Sequence, residues 1–155
     1  MARSDFRFAH RLRVRYAEID AQAIVFNTRY LEYFDVGITE YFRATGRRDL
    51  TQPDGGGAEF HVARNTIDYK KPLVLDEEFD ICLRCQRIGS SSMTYEWEIH
   101  GLANGEGKDD LRALGTSVSV HVGEVGKGPT PVPDGIVLVF ETFEGRALRN
   151  KEKTA

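Results

Sequence analysis

The 155-residue chain has no long hydrophobic run: the longest, Ile136 to Phe140 and Ala23 to Phe26, fall far short of the roughly 20 apolar residues that a membrane-spanning helix needs. Its first residues, MARSDFRF, lack the apolar core of a secretory signal. These absences lead us to expect a soluble, cytoplasmic protein with no membrane partner. Charge of one sign is missing as well. With 24 acidic and 21 basic residues and a net charge of −3, no global field holds a nucleic-acid backbone, so any phosphate binding must be local.

Cysteine is scarce. Cys82 and Cys85 form a CxxC, but a redox CxxC sits where a strand turns into a helix, whereas FDICLRCQRI reads as a strand. Residues three apart on a strand point to opposite faces and cannot readily form a disulfide. A zinc site would need a second ligand pair, and His10, His61, His100 and His121 show no ligand spacing. The expectation is two reduced thiols, no metal and no redox cofactor. Repeats and low-complexity segments are also lacking, and GEVGKGPT from Gly123 is not a phosphate-binding loop, because Gly128 and Pro129 follow Lys127 where a Ser or Thr must stand.

What the chain does have is enough apolar content, 41% over 155 residues, for one domain with a real core. From Phe8 to Tyr16 the pattern alternates, with Phe8, Leu12, Val14 and Tyr16 facing inward and Arg11, Arg13 and Arg15 outward, on a solvated or dimer-contacting face. Residues 28 to 45 carry Tyr30, Phe34, Ile38, Tyr41 and Phe42 at helical spacing, ending at the cap residue Gly46. Glu32, Asp35, Thr39 and Arg43 make only a narrow polar strip, which implies a mostly buried helix. Gly37 in its middle suits a close approach to a strand or a second subunit. A flexible loop, Asp49 to Ala58, leads to four strands: Phe60 to Tyr69, Glu78 to Ile88, Met93 to His100 and Leu111 to Val122. The last two are joined as a hairpin by Gly101 to Asp110. A terminal helix is expected after Asp134 as N-cap, although the β-branched residues of IVLVF favour a strand, and the tail NKEKTA is expected to be disordered.

The most informative stretch is YAEIDAQAIVFNTRY, from Tyr16 to Tyr30. It sets Asp20 just before Ala21, Ala23, Ile24, Val25 and Phe26, where partial shielding from water would make a carboxylate a better base. The alternative is that Asp20 caps a turn by accepting backbone N–H bonds. Composition around it does not choose between the two.

One strand, a long helix and four further strands imply an α+β domain with an antiparallel sheet curled around the helix. A hot-dog fold and a cystatin-like cone both fit, and the early strand favours the first. The residues Asp20-Ala21-Gln22-Ala23-Ile24-Val25-Phe26-Asn27, followed by Tyr30 and Leu31, then Ile67 to Pro72, then Arg87-Ile88-Gly89-Ser90-Ser91-Ser92, and finally Pro131 to Pro133, resemble the 4-hydroxybenzoyl-CoA thioesterase family of hot-dog acyl-CoA thioesterases. The likeness covers roughly residues 8 to 145. In one departure, many relatives carry Gly where this chain has Ala23, so the turn must accommodate a methyl group.

The resemblance implies hydrolysis of an acyl-CoA thioester without a cofactor. Asp20 would serve as nucleophile or general base, and the backbone N–H of Asn27, at the helix start, would polarise the thioester carbonyl. It further implies that Ile24, Val25 and Phe26 line an acyl pocket, and that His61, with Arg64, approaches from a partner subunit. Lys70, Lys71, Arg87, Ser90, Ser91 and Ser92 would contact CoA. Relatives pair their subunits, so a homodimer or homotetramer is expected, with acyl-CoA or an acyl carrier protein as partner. A non-catalytic acyl or CoA binding module of the same fold is the competing reading. A hydratase is disfavoured because no His lies between residues 11 and 60, and a cystatin-like isomerase would leave thioesters intact.

Overall fold

The computed structural model describes residues 2–47, 59–123 and 127–149. The expected flexible loop at 49–58, residues 124–126 of the glycine-rich segment, and the tail from Asn150 lie outside them. Strand β1 is Phe8–Arg13, helix α1 Arg29–Thr45, β2 Glu59–Tyr69, β3 Glu78–Ile88, β4 Ser92–Gly101, β5 Leu111–Val122 and helix α2 Asp134–Glu144, with 3-10 turns at Arg3–Asp5 and Tyr16–Glu18. The strands form one five-stranded antiparallel sheet in the order β1-β3-β4-β5-β2, the hot-dog arrangement. In this order β1 and β2 are the edges.

The chain forms two compact units, one of Met1–Tyr41, Ile67–Arg84 and Trp97–Gly115, the other of Phe42–Thr66, Cys85–Glu96 and Thr116–Ala155. In the first, β1 pairs with β3 in a register that sets Phe8 opposite Leu83 and Arg13 opposite Glu78. Helix α1 lays Tyr33 against Phe79 with ring centroids 4.7 Å apart, and Phe34 against Trp97 at 5.8 Å. Gly37 is the point of closest approach. A Cβ there would stand 2.9 Å from Leu83 Cδ1 and 3.0 Å from Ile81 Cδ1, so the roughly 1 kcal/mol that glycine costs a helix interior is set against close packing that a larger residue would keep only if these side chains shifted. The last turn of α1 belongs to the second unit, where Phe42 meets Tyr95 at 5.9 Å and Phe140 of α2 at 5.8 Å.

Three expectations need correction. Strand β1 stops at Arg13, and Tyr16 is 81% exposed. Main-chain bonds reach one residue further, from Val14 N to Glu77 O at 2.9 Å, and the chain then enters the 3-10 turn at Tyr16–Glu18, which carries Tyr16 out of the alternation. Helix α1 is also not buried nearly all round, since Leu31 and Val36 are 38% and 40% exposed; one face packs and the other does not. Lastly, Asp134 is the first residue of α2 and Pro133 its N-cap. The helix forms despite its β-branched residues because Val137 and Phe140, three apart, bury one face in the core.

The arginine row is ion-paired. Arg11 meets Asp80 at 3.0 Å, Arg13 meets Glu78 at 3.0 Å and Arg15 meets Glu18 at 3.0 Å. Cys82 and Cys85 are buried and form no disulfide among the described residues, and burial pushes both thiols up to about 12.

Candidate active site

The turn after Tyr16–Glu18 is a narrow hairpin closed by main-chain bonds. Ile19 bridges Val25, Asp20 N donates to Ile24 O at 2.9 Å, and Ala23 N donates to Asp20 O at 2.9 Å. Ala23 takes a φ of 59°, the left-handed conformation that glycine adopts freely and that costs an L-residue roughly 1–2 kcal/mol. The methyl group at this position is therefore accommodated at the expense of backbone strain. Gln22 N donates to Asp20 Oδ1 at 2.8 Å, so Asp20 does cap its own turn. That bond occupies one oxygen. The other, Oδ2, has no hydrogen-bond partner among the described residues.

Helix α1 begins where the hairpin ends. Arg29 N donates to Phe26 O at 2.9 Å and Leu31 N to Thr28 O at 3.3 Å, whereas the N–H groups of Asn27 and Thr28 have no partner among the described residues. These are the orphan donors that every helix start leaves. From the other side, Tyr69 at the end of β2 donates its hydroxyl to Asn27 O at 2.8 Å and sets its ring edge-on to Tyr30 at 5.1 Å. Burial raises the phenol pKa of both tyrosines, which keeps them neutral and able to donate.

Asp20, Ile24, Val25, Asn27, Lys70 and Lys71 line one cavity of about 300 Å³. Gln22, Tyr30, Tyr69 and Pro72 complete its wall. The cavity thus holds a carboxylate and two ammonium groups around an apolar and aromatic lining, a layout suited to a ligand with one apolar end and one anionic end. The Lys71 Nζ lies 3.7 Å from Asp110 Oδ1, whereas Lys70 has no ion-pair partner among the described residues.

The remaining candidates are not among its lining residues. Phe26 is 45% exposed and is not part of this wall. His61 belongs to the second unit, with Nε2 3.5 Å from Glu59. Arg87 and the three serines are in that unit too, where the serines work through their carbonyls: Ser90 O accepts from Val132 N at 2.9 Å, Ser91 O from His121 N at 2.7 Å, and Ser92 O from Gly89 N at 2.7 Å. Among the described residues, no three His, Cys, Asp or Glu side chains gather in a way that could hold a metal ion, and no helix is long and apolar enough to cross a membrane.

A family model described as the thioesterase superfamily matches residues 22–108, more than half of the chain. The chain belongs to the thioesterase superfamily. It is 27% identical over 92 residues, 59% of this chain and 68% of the relative, to the acyl-CoA thioesterase YbgC of Haemophilus influenzae. Among solved structures it is similar to a thioesterase of Thermus thermophilus complexed with coenzyme A and zinc, at 30% identity and a TM-score of 0.75, covering 92% of this chain and 98% of that one. A 1,4-dihydroxy-2-naphthoyl-CoA thioesterase of Synechocystis shares the fold at a TM-score of 0.75 and 14% identity, covering 86% of this chain and 94% of that one. The coarse activity that goes with this membership is thioester hydrolysis.

Proposed function

We propose that this thioesterase hydrolyses an acyl-CoA ester to a free carboxylic acid and CoA, and that Asp20 and the main chain of Asn27 carry the chemistry. The observation that supports it is the shared cavity: Asp20 and Asn27 line the same space, and among the described residues one Asp20 oxygen and the Asn27 N–H have no hydrogen-bond partner. Asp20 attacks the thioester carbon or deprotonates the water that does, and in either case the anion that forms on the carbonyl oxygen needs a donor. A directed donor of this kind contributes about 2.7–4 kcal/mol to the transition state, against about 0.3–1 kcal/mol for a helix dipole alone. The Asn27 N–H is thus asked for the larger share. Ile24 and Val25 receive the acyl group, and the ammonium groups of Lys70 and Lys71 receive phosphates of CoA.

The working form in this reading is a cytoplasmic homodimer, or a dimer of dimers. Among the described residues β2 is an edge strand of the sheet and carries an exposed Val62, features through which one strand adds to another. His61 and Arg64 approach the substrate from a neighbouring subunit, Phe26 adds to the acyl pocket, and Arg87 and Ser90 to Ser92 contact CoA. An acyl carrier protein is the alternative donor of the acyl group.

The test is thiol release from a panel of short, long and aromatic acyl-CoA esters. Turnover of at least one supports the reading. Binding of esters without thiol release would favour a non-catalytic acyl-binding module, the function that matches the turn-capping bond from Gln22 N to Asp20.

A further inference from the structure

Beneath the cavity rim lies a buried cation with no part in the chemistry above. Arg112, on β5, is only 3% exposed, and a guanidinium cannot shed its proton, so its burial has to be matched by partners. Its Nε donates to Asp110 Oδ1 at 3.1 Å and its Nη2 to Asp110 Oδ2 at 2.8 Å, while Nη2 also pairs with Glu77. The remaining arm is turned to the rim: Nη1 donates to the carbonyl of Pro72 at 2.9 Å.

The main chain of the same residue grips the same segment, because Arg112 O accepts from Lys70 N at 2.8 Å and from Lys71 N at 3.1 Å. Its two acidic partners reach outward as well. Asp110 lies 3.7 Å from Lys71 Nζ, and Glu77 Oε2 accepts from Val74 N at 3.0 Å. Three consecutive rim residues, Lys70, Lys71 and Pro72, are therefore held by one buried side chain and its own carbonyl. The hairpin of Asp20 rests on the continuation of that segment, through Val25 N to Leu73 O at 2.9 Å and the bridge from Ile24 to Val74.

We infer that Arg112 is a positioning residue that sets Lys70 and Lys71 at a fixed reach from the Asp20 turn, and so confers selectivity for a CoA ester over a thioester lacking phosphates. The inference rests on the reading in which the two lysines receive those phosphates. Arginine suits the task because its planar fork meets three acceptors, Asp110, Glu77 and Pro72 O, in fixed directions, whereas a lysine offers a point charge that cannot span them.

The test compares Arg112→Lys with the wild-type chain on two thioesters of one acyl group, its CoA ester and its N-acetylcysteamine ester, together with site-resolved amide hydrogen exchange. The expected result is a KM for the CoA ester raised about tenfold or more, with kcat and the KM of the truncated ester within about threefold. Exchange should rise at Lys70, Lys71 and Val25 and stay slow at Ile81 and Leu83. Glu77→Gln, which leaves the guanidinium in place, should move the same KM in the same direction by a smaller factor, and it stands in should Arg112→Lys fail to fold. An unchanged CoA-ester KM, equal losses on both esters, or exchange raised across the whole sheet would overturn the inference. Hydrolysis of neither ester by the wild-type chain would instead remove the underlying reading, and the exchange pattern would still decide whether Arg112 holds the rim.

Discussion

Glu18 and Asp20 are carboxylates two residues apart on one turn. Glu18 is 4% exposed and saturated with donors, namely Arg15 N at 2.8 Å, Arg15 Nε at 3.0 Å and the Tyr33 hydroxyl at 2.9 Å. Burial alone would raise its pKa, but the bonds from Arg15 N, Tyr33 and the Arg15 side chain together outweigh burial and hold it below the usual carboxylate value. Asp20 is less buried, accepts one bond at 2.8 Å and borders the cavity. A carboxylate wrapped in donors is a structural anchor. One with an oxygen left open is, in the function proposed above, the group that does chemistry, and the comparison teaches that unoccupied capacity, more than burial, separates the two.

The largest way to break this contrast is Asp20→Ala, for which we expect kcat to fall about 10²- to 10⁴-fold in a thiol-release assay while the chain stays folded. At Glu18 the effect should be on stability: Glu18→Gln should cost about 1–3 kcal/mol in urea denaturation and leave kcat within a few-fold. A pH series sharpens the same point. Because the folded-state pKa of Glu18 is depressed below its ordinary value of 4.5, its contribution is complete above that pH and is lost as pH falls through the folded value. The Gln variant should therefore show a shallower loss of stability in acid than the wild type. The smallest effect is expected at the residue between the turn's two ends. Ala23→Gly relieves a left-handed conformation worth roughly 1–2 kcal/mol against a glycine cost of roughly 0.5–1 kcal/mol, so a small gain in melting temperature with unchanged turnover should follow.

Much of the fold was legible because its elements are strongly periodic. Strands β2 to β5 start and end within a residue of their expected limits, and Gly46 adopts the left-handed φ of 84° that ends α1. The end of β1 was not legible, since alternation reports which side chains face inward and says nothing about where main-chain pairing stops. At the site, Asp20, Ile24, Val25, Asn27, Lys70 and Lys71 share a cavity, a grouping that only the family resemblance had implied; Phe26, expected beside them, is not in its wall, and Tyr30 and Tyr69 were missed as wall residues. Tyr30 read as helix core at helical spacing, and Tyr69 was one aromatic at a strand end. Arg112 gave no signal at all, because a single arginine in an alternating strand looks the same whether it is solvated or buried between two carboxylates. The serine run is fixed by main-chain bonds at its carbonyls, which its residue types did not signal.

The most direct test of the central claim is Asp20→Asn. The amide oxygen still accepts from Gln22 N and preserves the turn, so the substitution removes the charge and little else. We expect hydrolysis of a cleavable acyl-CoA ester to drop at least about 100-fold while the intact ester binds with its wild-type affinity in calorimetry. Turnover at the wild-type rate would contradict the account and leave Asp20 as a turn cap only.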